Sequence, residues 1–309
     1  MIHWTGPLVL RPTRRSPVVL AGSRDVFLQA TGTPGKPVIM HDGAARTGYA
    51  PKVTYESARQ SVTMLAAAKQ RVRLVDTSMG YITCETLVYS NLTHHARLTG
   101  PGAFAMTDAA AGKTPWRGSW LKQLTVHLAP GSKTPTPAAT APAIGQGKLA
   151  LKEITITGAV RLANGQTSLH AEKFSAGFVQ TSGKHGGSAL RQFAADGHVT
   201  IASADPGLPA ADTNSMQCSH LILLTRQPKA QGNPVPDELK ARGQIALTFY
   251  QKAAKTGGIP EKFTISAGRL HAHLIRRAGA RAPTTTSPDR NRAGLQIRAN
   301  LLSKLLGES

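Results

Sequence analysis

The side chains able to do chemistry in this 309-residue chain are few and widely spaced. His271 and His273 alternate with Leu270, Ala272 and Leu274, so in a strand both imidazoles share one face. Two imidazoles can begin a metal site, but no carboxylate or third ligand lies nearby in sequence, and the pair reads as a solvated strand face. His94-His95 falls between strand candidates and reads as loop. Two cysteines are too few for a disulfide framework. Cys84 and Cys218 fill a slot that Ala171 and Ala267 fill elsewhere, so they read as small buried apolar residues; a Cys84–Cys218 disulfide is the alternative. The acidic residues show no paired-carboxylate spacing. There is no Gly-rich phosphate loop, HExxH, CxxC or Gly-x-Ser-x-Gly. No catalytic residue, metal or cofactor is assigned, and the expectation is a protein that is not an enzyme.

The elements around these residues are more informative. Residues 190–223 hold two strand-like halves. The first alternates through Phe193, Ala195, Gly197, Val199 and Ile201; the second is Met216-x-Cys218-x-x-Leu221-x-Leu223. Both recur. The second half matches Ile82-x-Cys84-x-x-Leu87-x-Tyr89, Leu169-x-Ala171-x-x-Phe174-x-Ala176 and Ile265-x-Ala267-x-x-Leu270-x-Ala272. Gly48-x-Ala50-x-x-Val53-x-Tyr55 is a degenerate copy, and Ile297-x-Ala299-x-x-Leu302 a weaker one. The first half matches 156–162 and 241–247, with glycine at Gly158 and Gly243, and 98–102 is a relative.

The step from the small residue to the next apolar one is three, which would flip the apolar set to the other face of a flat strand. A bulge or bend at the intervening residues keeps both halves inward. Regular glycines imply one kink per strand. The expected fold is therefore all-β, with repeated bent antiparallel strands folding over at corners as in a jelly roll.

Composition agrees. Aromatic content is 5%, with 30 Gly and 20 Pro, which suits short strands and many turns. No apolar run reaches the ~20 residues of a membrane span, and residues 1–16 lack the apolar core of an export signal. The net charge of +21 has two readings, an anionic partner or a basic solvated face. The scarcity of aromatics argues against single-stranded nucleic acid.

In chain order, residues 1–130 form a first β-repeat region. Trp4, Leu8, Leu10 and Pro12 are echoed by Trp120, Leu124, Val126, Leu128 and Pro130, which implies an internal duplication. Residues 25–30 and 38–40 are short strands, 61–74 one or two strands, and 113–120 a basic aromatic connector. The Pro/Thr/Ala-rich 131–147 is a loop or linker. Residues 148–276 form a second β-repeat region, with strands near 151–162, 167–179, 188–203, 216–226, 238–251 and 262–276. Residues 277–309 read as a basic flexible tail, with 295–306 either a short amphipathic helix or another repeat.

The pattern Ala195-x-Gly197-x-Val199-x-Ile201, a variable connection, then Cys218-x-x-Leu221-x-Leu223 resembles the organic-solvent-tolerance (OstA-like) repeat. That repeat is shared by the lipopolysaccharide-transport proteins LptA and LptC and the N-terminal domain of LptD. Residues 82–100, 151–176 and 241–272 carry it too, so the resemblance covers most of 60–275. The chain is longer than the usual 150–200 residues of repeat, with Pro-rich insertions and no export signal within it.

The resemblance implies an elongated β-jelly-roll, or β-taco, trough in the periplasm or associated with the envelope. Its apolar interior would shield acyl chains of lipopolysaccharide or a related anionic lipid. Its open edges would stack on other Lpt-like β modules in a transport bridge. The expected inward, lipid-contacting set is Val160, Leu162, Leu169, Phe174, Val199, Ile201, Leu221, Leu223, Ile245, Leu247, Ile265 and Leu270, with Arg161, His198, His220 and Gln244 outward. The alternatives are a ligand-free structural β-repeat module of the envelope and a basic nucleic-acid-binding protein; no nucleic acid is the expectation.

Overall fold

A computed structural model of the chain describes residues 1–12, 26–42, 45–77, 80–106, 116–130, 149–180, 188–204, 213–226, 235–251 and 261–273. The described residues form twenty strands and no helix, and their pairings are antiparallel, so the protein is all-β. The chain divides into two compact units, Met1–Gly165 with Glu172–Ala189, and Gln166–Ala171 with Leu190–Ser309. The loop expected at 131–147 and the tail and helix expected at 277–309 lie outside the described residues, as does the doubtful repeat at Ile297.

In the first unit the strands sort into two ladders. One contains β2 (Leu8–Pro12), β3 (Val26–Thr31), β6 (Lys52–Glu56), β7 (Ser61–Leu65), β10 (Thr86–Ser90), β11 (His95–Thr99) and β14 (Gln123–Pro130), each paired with the next. The other contains β1 (Ile2–His3), β4 (Val38–Asp42), β5 (Arg46–Ala50), β8 (Val72–Asp76), β9 (Gly80–Cys84), β12 (Gly102–Met106) and β13 (Arg117–Trp120). The long strand β15 (Leu149–Asn164) belongs to both. It pairs with β14 up to Thr157 and with β13 from Arg161, turning at Gly158-Ala159.

Consecutive strands thus alternate between hairpins within a ladder and corners between ladders. Pro51, Glu85 and Gly100-Pro101 stand at three of the corners. The corners are stitched to one another by backbone bonds. Gly32 N–H donates to Pro51 O at 2.8 Å, Ala66 N–H to Glu85 O at 2.8 Å, and Gly100 N–H to Lys122 O at 2.8 Å. Backbone groups that leave the ladder at a turn therefore still find partners, as buried polar groups must. The ladders face each other: Met64 of one reaches to 3.0 Å of the point where a Cβ on Gly48 of the other would stand. Between them lie Ala30, Val38, Ala50, Val53, Met64, Val72, Cys84, Leu87, Leu98, Trp120, Leu124 and Ile156, all buried.

The second unit uses uninterrupted strands that carry the corner inside them. β17 (Ser188–Ala204), β18 (Thr213–Arg226), β19 (Val235–Gln251) and β20 (Glu261–His273) form a meander. Asp196 pairs with His220 and Val199 with Cys218, so Gly197 and His198 oppose the single residue Ser219. Arg242 pairs with Arg269 and Ile245 with Ala267, so Gly243 and Gln244 oppose the single residue Gly268. Two residues against one is a β-bulge, which bends its strand and raises the twist. Gly197 and Gly243 have φ of 76° and 93°, where a side chain is strained, which explains glycine at these positions.

The bend expected within the small-x-x-apolar motif is present, with one refinement. The extra residue belongs to the glycine-bearing neighbour and not to the strand that carries the motif. Its consequence for parity is the expected one: Cys218 and Leu221 are both buried, as are Cys84 and Leu87, and Ala50 and Val53.

Strand bounds in the C-terminal region run a few residues beyond expectation, as in Leu149–Asn164 and Val235–Gln251. β16 (Thr167–Gln180) has residues in both units, and Ser188 and Ala189 at the start of β17 fall in the first. Residues 61–74 resolve into β7 and β8. The connector reading of 113–120 is corrected at its end, where Arg117–Trp120 is strand β13; residues 113–115 lie outside the described residues. His95 likewise opens β11 and is not loop. The Trp4 and Trp120 segments are both strand, corner, strand, but Trp120 is buried whereas Trp4, Leu8 and Leu10 are exposed. Among the described residues β2 pairs with β3 alone, so its side chains lack a second flanking strand.

Candidate functional site

The inward set follows from strand parity on each side of a corner. In the first unit, Val160 and Leu162 are buried just past the Gly158-Ala159 turn, while Phe174 is half-buried. In the second unit, Leu169, Val199, Ile201, Leu221, Leu223, Ile245 and Leu247 are buried, and Ile265 and Leu270 are half-buried. The expected outward residues Arg161, His198 and Gln244 are exposed and His220 is half-exposed, so the register is as read from the sequence.

The difference at Ile265 and Leu270 has a simple cause. Both stand on β20, which among the described residues is paired with β19 alone. An edge strand receives side-chain cover from one neighbour instead of two, so apolar surface stays accessible there. Phe263 on the same strand is exposed, with its ring stacked on Phe249 at 5.0 Å between centroids. Each fully covered Leu or Ile contributes roughly 1.5–3 kcal/mol relative to exposure. The seam is therefore a principal source of stability whatever else it does. The buried hydroxyls of Thr167 and Ser203 satisfy one another at 3.2 Å.

Both cysteines are free, buried thiols, Cys84 in the first unit and Cys218 in the second. Burial pushes the Cys84 thiol up to about 12, against a smaller lowering by the Arg71 charge. Burial pushes Cys218 up to about 11. Neither forms thiolate near neutral pH, so neither is a ready nucleophile or ligand.

On the outer side, Asp196, His220, Arg242 and Arg269 follow one another across β17, β18, β19 and β20 as direct register partners. The Asp196 carboxylate is hydrogen-bonded to His220 Nδ1, whereas Arg242 and Arg269 are exposed like charges facing each other across the ladder. Like charges directly opposite are unfavourable, and an anion between them relieves the repulsion.

Two histidine groups stand out. His95 and His127 are cross-strand partners with rings stacked at 4.2 Å; His95 Nε2 and His94 Nδ1 have no hydrogen-bond partner among the described residues. Burial and the neighbouring His127 and Arg97 lower the His95 pKa below the usual histidine value. On the second unit, His271 and His273 share a face as expected, and the structure adds a carboxylate to them. Glu238 of β19 is the register partner of His273 and is hydrogen-bonded to His271 Nε2, while Lys240 Nζ lies 3.0 Å from its other oxygen. Glu238 was missed from the sequence because it stands 33 residues from His271. Only the β19–β20 register brings them together. Comparison of the chain with family models, curated proteins and solved structures returns no match.

Proposed function

We propose that this chain is a lipid-shielding protein of the cell envelope. Its apolar seam would lie against the acyl chains of lipopolysaccharide or another anionic glycolipid, within a bridge of stacked OstA-like β modules in the periplasm. The observation that carries the reading is the recurrence, at the described repeats around Ala50, Cys84 and Cys218, of a corner with buried apolar residues on both sides of it. Support for the anionic part of the ligand comes from the charge of +21 and from the exposed Arg242–Arg269 pair, whose repulsion a phosphate would relieve. In the second unit acyl contact would fall on the accessible members Ile265 and Leu270, backed by the closed members Val199, Leu221 and Ile245; Phe174 is the accessible member of the set in the first unit. Burying a chain there gains about 25 cal/mol per Å².

A second reading is favoured by one specific observation. Val199, Leu221 and Ile245 are only 1%, 0% and 3% exposed, which is the packing of a filled core. A ligand-free structural module would look like this too.

Extraction and mass spectrometry of apolar material that travels with the purified chain, with benzophenone photocrosslinking, separates the two. Lipid transport predicts acylated lipid in the extract, crosslinks from probes at Ile265 and Leu270, and few from a probe at outward Arg161. Val199→Asp and Ile245→Asp should weaken crosslinking, in preparations shown by circular dichroism to keep their strand content, because a buried carboxylate threatens folding. An extract free of lipid, or well-folded variants that crosslink as wild type does, would leave the structural module.

A further inference from the structure

We propose that Glu238, His271 and His273 form a binding site for a divalent transition-metal ion of the Zn²⁺ class. Their donor atoms all lie within 4.8 Å of one another. Ligands at about 2.0–2.2 Å from a tetrahedral ion stand roughly 3.3–3.6 Å apart, so side-chain rotations that shift the donor atoms by about 1 Å close the set. The backbone presets the arrangement: His271 and His273 project from one face of β20, and Glu238 stands directly across from His273 on β19. Both imidazoles are exposed and the carboxylate half-buried, so an ion can enter from solvent and keep water in its remaining positions.

Two nitrogen donors and one oxygen select the class. Imidazole suits zinc, nickel and copper, whereas calcium and magnesium require oxygen ligands. Lys240 acts in two opposing ways. Its ammonium, 3.0 Å from Oε2, orients the carboxylate and leaves Oε1, now bonded to His271, to turn to the ion. The same positive charge repels the ion and weakens the site.

The site is tested on the full chain, stripped with chelator, by calorimetric titration with ZnCl₂ and separately with MgCl₂. The expected result is saturable uptake of Zn²⁺ without uptake of Mg²⁺. His271→Ala/His273→Ala should lose at least tenfold in affinity and Glu238→Gln several-fold, while Lys240→Gln should gain several-fold. Co²⁺ supplies a readout independent of heat: its visible absorption on wild type should vanish in the double histidine variant. All four side chains lie on the outer face, and unchanged circular dichroism verifies the fold of each variant. Absence of Zn²⁺ uptake below about 1 mM, or equal affinity in wild type and the double variant, overturns the proposal. Equal affinity would assign the ion to the other histidines of the chain.

Discussion

The indole of Trp120 occupies the space that a side chain on Gly102 would need. The two are direct partners across β12 and β13, and a Cβ on Gly102 would stand 2.1 Å from the Trp120 ring. Trp120 is 1% exposed, so the ring has nowhere to go. Gly102→Ala should therefore destabilise the first unit by about 1–3 kcal/mol, the usual cost of overpacking. A lowered urea midpoint with unchanged slope is the expected signature. Gly102→Ala with Trp120→Phe, which frees space, should recover part of the loss.

At Gly243 the cost has a second source. A Cβ there would meet Ser219 Oγ at 2.2 Å, and the φ of 93° is itself strained for any side chain. Gly243→Ala should cost roughly 1–3 kcal/mol. Adding Ser219→Gly removes the clash but not the strain, so the double variant should regain only a fraction in chemical denaturation.

The thiols should be silent. With pKa values pushed up by burial to about 12 and about 11, Cys84 and Cys218 should react with a disulfide reagent only after unfolding. Alanine already fills the equivalent slot at buried Ala171, so Cys84→Ala and Cys218→Ala should each cost less than about 1.5 kcal/mol. Reducing agent should leave the wild-type midpoint where it is.

Burial of His95, with His127 and Arg97 beside it, should make stability fall in mild acid. His95 is held neutral, its folded pKa lying below the ordinary value of 6.5. The unfolded chain therefore binds the proton more readily. The contribution is nil well above pH 6.5, grows as pH falls through that value, and levels off below the folded pKa. His95→Gln, which cannot take the proton, should flatten this part of the curve in denaturation midpoints measured between pH 7.5 and 5.

Parity and spacing are local properties, and the sequence carried them. Cys218-x-x-Leu221 states its bend in four residues, because two apolar residues three apart can share a face only if the strand breaks its alternation between them. Gly197 and Gly243 state their turn because few other residues tolerate those backbone angles. From such local rules the all-β class, the corners and most of the buried seam were legible. Register and position in the ladder were not, because they depend on residues far away in the chain. That β20 is paired only with β19 among the described residues decides that Ile265 and Leu270 stay half-open while Ile245 and Leu247 close, although strand parity within each motif places all four inward. That Trp120 is covered and Trp4 exposed depends equally on which strands flank them. The carboxylate beside His271 and His273 is the sharpest case. A pairing register joins residues that no spacing rule connects, and it alone turns two solvated imidazoles into a set of three donors.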